Sequence, residues 1–71
     1  MKWREVNSNA WVSEGGRYSV CRVTYVTARG PEPRYEAWRR RDHPEGVGRL
    51  PGTWIARHEA EAAVVAYAKG G

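Results

Sequence analysis

A chain of 71 residues with a single cysteine, Cys21, is one small domain with no intramolecular disulfide to staple it. No apolar run approaches the roughly 20 residues of a membrane span, and Met1 to Val6 lacks the apolar stretch of a signal peptide, so the expectation is a cytoplasmic protein with no membrane partner. Ten arginines and two lysines against eight acids give a net charge of +4, and the planar guanidinium fork favours an anionic partner, although GC-rich codon usage produces the same Arg-for-Lys bias.

In chain order, residues 1–9 form an edge strand or ordered arm, closed by the polar break Asn7, Ser8 and Asn9. "AWVSEGGRYSV" then holds two β-prone runs around Gly15 and Gly16, a pair that accepts the positive φ of a tight turn. It predicts a hairpin joining Ala10–Glu14 to Arg17–Val26. In the second run Tyr18, Val20, Arg22, Thr24 and Val26 alternate with Ser19, Cys21, Val23 and Tyr25, the period of a strand. "TARGPEPR", with one glycine and two prolines, predicts a loop.

Tyr35 to Arg40 is a further strand, with Tyr35, Ala37 and Arg39 on one face and Glu36, Trp38 and Arg40 on the other. Residues 42–56 read as a loop that leaves room for one short strand at "TWI". From Arg57 the period changes. Ala60, Ala63, Val64, Tyr67 and Ala68 fall on one stripe of a helix over 57–69, with Glu59 and Glu61 near its start and Lys69 near its end to complement the dipole. The predicted fold is α+β: a three- or four-stranded antiparallel sheet with one C-terminal helix packed on one face, all in a single domain spanning 1–71.

No constellation of an enzyme is present in this reading. His43 lies in a Pro-Gly loop, His58 at a helix start and Cys21 inside a strand, without the paired spacing of a metal site. "GVG" at 46–48 lacks the Lys-Ser/Thr continuation of a phosphate loop. No catalytic residue, metal or cofactor is assigned. Trp11 and Trp54 are expected in the core. Trp38 neighbours Arg39, Arg40 and Arg41, and an aromatic among guanidinium groups suits either a structural stack or contact with a partner.

"GRYSVCRV" (16–23) and "LPGTWIARHEAEAAVVAYA" (50–68) resemble the AP2 and integrase amino-terminal DNA-binding domains. The likeness rests on Gly16, Arg17 and Tyr18 at a strand start, then on Leu50, Gly52, Thr53, Trp54, Glu61, Ala62, Ala63, Ala66 and Tyr67 in a turn leading into a helix. It covers about half the chain, and small phage-encoded proteins of sheet-plus-helix form are similar too. The resemblance implies a sheet that enters the major groove and touches DNA with Arg and Trp side chains of its exposed face.

Charge and resemblance together lead to an expected non-catalytic binding protein that meets nucleic acid, duplex DNA foremost, with Arg17, Arg22, Arg34, Trp38, Arg39, Arg40, Arg41 and Arg49. The alternative expectation is a phage-type accessory or inhibitor protein, similar to anti-CRISPR proteins, whose basic surface meets an acidic patch of a host nucleic-acid-handling complex. Homodimer formation through the edge strand or the open sheet face is a third option.

Overall fold

The structure is a computed structural model that describes residues 1–70, so Gly71, the last residue of the expected domain, lies outside the described residues. The chain forms five strands and one helix: β1 (Trp3–Asn7), β2 (Ala10–Ser13), β3 (Tyr18–Thr27), β4 (Gly30–Arg39), β5 (Gly48–Arg49) and α1 (Arg57–Gly70). The strands follow one another across a single antiparallel sheet in the order β1-β2-β3-β4-β5. The architecture is therefore α+β with one carboxy-terminal helix, and the sheet has five strands where three or four were expected. The extra one, β5, falls inside the stretch read as a loop, and Trp54 adds a single bridge to Tyr35, with N–O distances of 2.7 and 2.9 Å.

The largest departure from expectation is the β3–β4 hairpin. "TARGPEPR" is not a loop: only Ala28 and Arg29 form the turn, and Pro31 and Pro33 lie within β4 opposite Val26 and Thr24. The register explains how proline is tolerated there. Tyr35 directs both its N–H and its C=O to Trp54, away from β3, and residues two and four positions earlier share that direction. The nitrogens of Pro31 and Pro33 thus point to the open edge, where no ladder bond is lost, and they block that edge to further strands.

The β2–β3 turn uses Gly15 and Gly16 as expected, with φ of 91° and 77°. Beside it the buried Ser13 hydroxyl accepts the Tyr18 N–H at 3.1 Å, so the hairpin is closed by a side chain as well as by its ladder. The helix starts at Arg57 without a Ser, Thr, Asp or Asn cap. Glu59 reaches back instead and accepts the Ala56 N–H at 3.2 Å, which is the second half of a capping box standing alone.

Packing follows from the two periodicities. Val20 and Ala37 face each other on adjacent strands, and Ala60 and Val64 of α1 sit over them; all four are fully buried. Alanine on the helix lets α1 lie close to the sheet. Trp11, Tyr18 and Leu50 complete the core, with Trp3, Tyr35, Trp54 and Tyr67 packed around it. Arg57 lies over the Trp11 ring at 4.9 Å from the centroid, which ties the first helical turn to β2. Truncating Val20 to Ala removes two methyl groups from this centre and leaves a cavity beneath α1. The expected loss is about 2 kcal/mol, much of what a domain this small has. Urea unfolding followed by tryptophan fluorescence measures it.

Candidate nucleic-acid interface

Strand alternation and the position of α1 sort the arginines onto two faces. On the side away from α1, Ser19, Cys21, Val23 and Tyr25 of β3 stand opposite Trp38, Glu36, Arg34 and Glu32 of β4. Trp38 is half-buried there and pairs with Arg49 of β5. Arg22 and Arg39 belong to the other face, with Tyr18, Val20 and Ala37. The eight expected contact residues are thus divided between the faces, with Arg39 and Arg40 on opposite sides as their alternation predicted.

Arg39 is occupied in the fold. Its Nε donates to the Gly46 carbonyl at 3.2 Å and its Nη1 to the Tyr67 hydroxyl at 3.1 Å, and Tyr67 in turn donates to Glu45 at 3.1 Å. The guanidinium crosses directly over Gly48, where a Cβ would come within 2.9 Å of its Cζ. Arg39 therefore fastens the 40–47 loop to the helix, on the side of the sheet that α1 covers. Close by, His43 Nδ1 accepts the Glu45 N–H at 3.0 Å, leaving Nε2 as the protonated nitrogen that faces the Tyr18 hydroxyl at 2.9 Å. This polar cluster closes one end of the core.

Two more arginines are neutralised on the open face. Arg34 pairs with Glu32 at 2.6 Å and Arg49 with Glu36 at 3.2 Å. Glu36 is a hub whose side chain is only 13 % exposed. It accepts from the Tyr25 hydroxyl, from Trp38 Nε1 at 3.3 Å and from Arg49. The Tyr25 hydrogen bond is the main reason its carboxyl titrates below the usual range; Trp38 and Arg49 add to this, while partial burial opposes it. The same bond holds the Tyr25 phenol above its ordinary value. Burial likewise raises the Cys21 thiol, the larger effect over a Ser19 hydrogen bond that lowers it, so Cys21 presents a neutral, weakly nucleophilic group.

What remains uncommitted is a smaller set. Arg17, Arg22, Arg40 and Arg41 are exposed and make no ion pair among the described residues, Arg22 on the α1 side of the sheet. The Arg40 side chain donates to the Gly16 carbonyl at 3.3 Å, and its backbone N–H to the Arg17 carbonyl at 2.8 Å. It stands between two grooves. One, of about 610 Å³, runs past Trp38 and Arg41 over Ser19 and Cys21. The other, of about 410 Å³, is lined by Lys2, Arg4 and Val12. Arg17 faces a third depression, beside His43 and Tyr67.

Lys2 and Arg4 were absent from the expected set. Their contribution depends on β1 pairing with β2, which sets Arg4 opposite Val12. The alternation of "KWRE" was the signal, but without that register it does not say which face Arg4 joins.

Compared with protein-family models, with curated proteins and with solved structures, the chain matches none.

The Glu36 hub has a pH signature. Its carboxyl has a lower pKa folded than unfolded, so it contributes stability above the ordinary carboxylate range, and this is lost as pH falls through the folded value. In acid denaturation series, wild-type protein is expected to lose more stability below about pH 4.5 than Glu36→Gln does. Identical profiles would remove the hub. At the alkaline end, Tyr25→Phe is expected to delete the part of the phenolate absorbance change that comes late, above the ordinary tyrosine range.

Proposed function

We propose that this chain is a non-catalytic binding protein that docks on duplex DNA through the sheet face opposite α1. The observation carrying the reading is that Arg40 and Arg41 are exposed and without a carboxylate partner among the described residues. Both line one groove with Trp38, while Lys2 and Arg4 continue the positive charge across Arg40.

A phosphate backbone repeats negative charge along a line, and a row of cations crossing from β1 to the β4–β5 loop answers it by releasing counterions. Trp38 supplies a flat apolar surface for sugar between those cations. Its ring is oriented by the bond to Glu36. Arg17 extends the rim on the far side of the β2–β3 turn. Arg34 and Arg49, already matched to Glu32 and Glu36, brace the face and contribute little net charge to binding. The likeness to AP2-type domains supports the same choice of partner. A lone, half-buried thiol suits the reducing cytoplasm in which such a partner is found.

One observation favours the alternative, an inhibitor-like protein that binds an acidic protein surface. The open face also displays Glu32 and Glu36, so its charge is mixed along much of its length. Salt dependence separates the two readings. Binding to a fluorescent duplex is expected to weaken linearly in log–log form as salt rises, and Arg40→Ala with Arg41→Ala is expected to reduce that slope by about 0.9 for each phosphate contact removed. Absence of duplex binding at about 50 mM salt, or an unchanged slope in the double variant, would refute it.

A further inference from the structure

The β3–β4 hairpin outruns its neighbours. β2 stops pairing with β3 at Cys21, the Asn9 carbonyl accepts the Arg22 N–H at 2.8 Å, and β4 receives its last support at Tyr35, from Trp54. Five rungs lie beyond, from Val23 opposite Arg34 to Thr27 opposite Gly30. The outer edge of each strand is open there. Because the Arg22 N–H points toward β2, the N–H and C=O groups of Thr24 and Val26, two and four positions on, point out along the same edge with no strand to receive them.

An open edge is a template for pairing with another chain, and the other edges of this sheet are defended against it. Pro31 and Pro33 close the β4 edge. β1, outermost on the other side, carries Arg4 and Glu5 and is broken by the bulge between Glu5 and Asn7. β5 is two residues long. The Val23–Thr27 edge has none of these protections. Its sequence "VTYVT" holds no proline, glycine or charge, and every residue but Tyr25 is β-branched. Val26 is 87 % exposed, with Thr24 and Thr27 exposed beside it. At the end of the edge Thr27 Oγ1 donates to the Gly30 carbonyl at 3.0 Å and accepts the Arg29 N–H at 3.1 Å, so the chain leaves toward β4 at Ala28 in a fixed turn.

We infer that this edge pairs with a second copy of the chain: β3 joins β3, antiparallel, about a two-fold axis between the two Tyr25 residues, and the two sheets become one. The free stretch is its own complement. It is bounded on one side by Arg22, whose N–H is taken by Asn9, and on the other by the Ala28 turn, and its outward backbone groups sit one on either side of Tyr25. In that register Thr24 exchanges both backbone bonds with Val26 of the second copy, and Val26 with its Thr24, so all of these groups are satisfied. Tyr25 faces Tyr25 of the second copy at the closer, non-hydrogen-bonded spacing, and each exposed Val26 side chain lies beside the other copy's Thr24. A shift of two residues would instead bring Arg22, already bonded, or the Ala28 turn into the ladder. Each edge is used up in the pairing, so assembly closes at two chains. The axis stands perpendicular to the sheet, which places both helices on one side and both open faces on the other. The inference goes beyond the DNA reading, does not require it and leaves its face free.

Sedimentation equilibrium of the full chain, without DNA, tests it. An edge this short buries little surface, so half-dimerisation is expected on the order of 100 µM. A mass that stays at the 8.1 kDa of one chain up to about 1 mM overturns the inference, and so does growth past two chains. Val26→Pro removes an outward N–H without costing a bond to β4, and is expected to weaken dimerisation at least about tenfold; unchanged dimerisation overturns the inference. Cross-linking then reads the register, and decides independently should Val26→Pro not fold by circular dichroism. Tyr25→Cys and Val23→Cys are each made in a Cys21→Ser chain and oxidised mildly at dimerising concentration. Tyr25→Cys is expected to form the disulfide-linked dimer, because residue 25 faces itself within disulfide range, whereas residue 23 faces Thr27 of the second copy. Equal cross-linking of the two variants, or none in either, overturns the inference. Failure of duplex binding leaves all of these outcomes unaffected.

Discussion

Val20 opposite Ala37 is the rung on which the arrangement of the molecule depends, because both side chains are wholly buried in one cluster with Ala60 and Val64 of α1. Once α1 is seated there, every residue two positions away along β3 and β4 is assigned to the covered side and every intervening one to the open side. Arg39 is then carried under the loop, where Gly46 and Tyr67 receive it, and Arg40 is carried to the opposite face. A one-residue slip of β4 against β3 would exchange these fates and bury Trp38 in place of Ala37.

The open face shows how a basic chain divides its arginines. Arg34 and Arg49 are tied to Glu32 and Glu36, and Arg57 lies 3.1 Å from Glu61 while stacking on Trp11. These are surface or half-buried pairs, each of small stabilising value. Their larger effect is positional, since the Glu36 hub sets the orientation of Tyr25, Trp38 and Arg49 together. Among the cations without a carboxylate partner in the described residues, Arg17, Arg40 and Arg41 gather at the end of the sheet near the β2–β3 turn and the loop after β4. A run of three arginines in sequence is thus one structural residue and two available ones.

Local signals carried much of this. The helix could be placed at Arg57 because the period of Ala60, Val64 and Tyr67 is contained within it, and the β2–β3 turn was marked by Gly15 and Gly16. The alternation of β4 correctly separated Arg39 from Arg40. What could not be read depends on partners distant in sequence. Pro31 and Pro33 look like loop residues until the Tyr35–Trp54 bridge shows which way their nitrogens point. β5 is two residues long and has no period of its own; it is a strand only because Trp38 and Arg39 lie beside it. Arg4 joins the open face through a register that contains a bulge between Glu5 and Asn7, which no pattern of alternation anticipates.

The two ends of the sheet stand in different energetic positions. At the Tyr18 end, strands, loop and helix converge, and the Arg39–Tyr67–Glu45 and His43–Tyr18 contacts close the core. At the Thr27 end, five rungs extend past every supporting element and bury almost nothing on their Val26 side. A small domain gains stability by keeping apolar surface covered, and a hairpin cut back to Arg22 and Tyr35 would keep all of the buried core residues. Coverage of the core therefore gives no reason for the extra length of this hairpin. The outer edges of these two strands are unpaired, and Pro31 and Pro33 turn the β4 edge into one that no further strand can join.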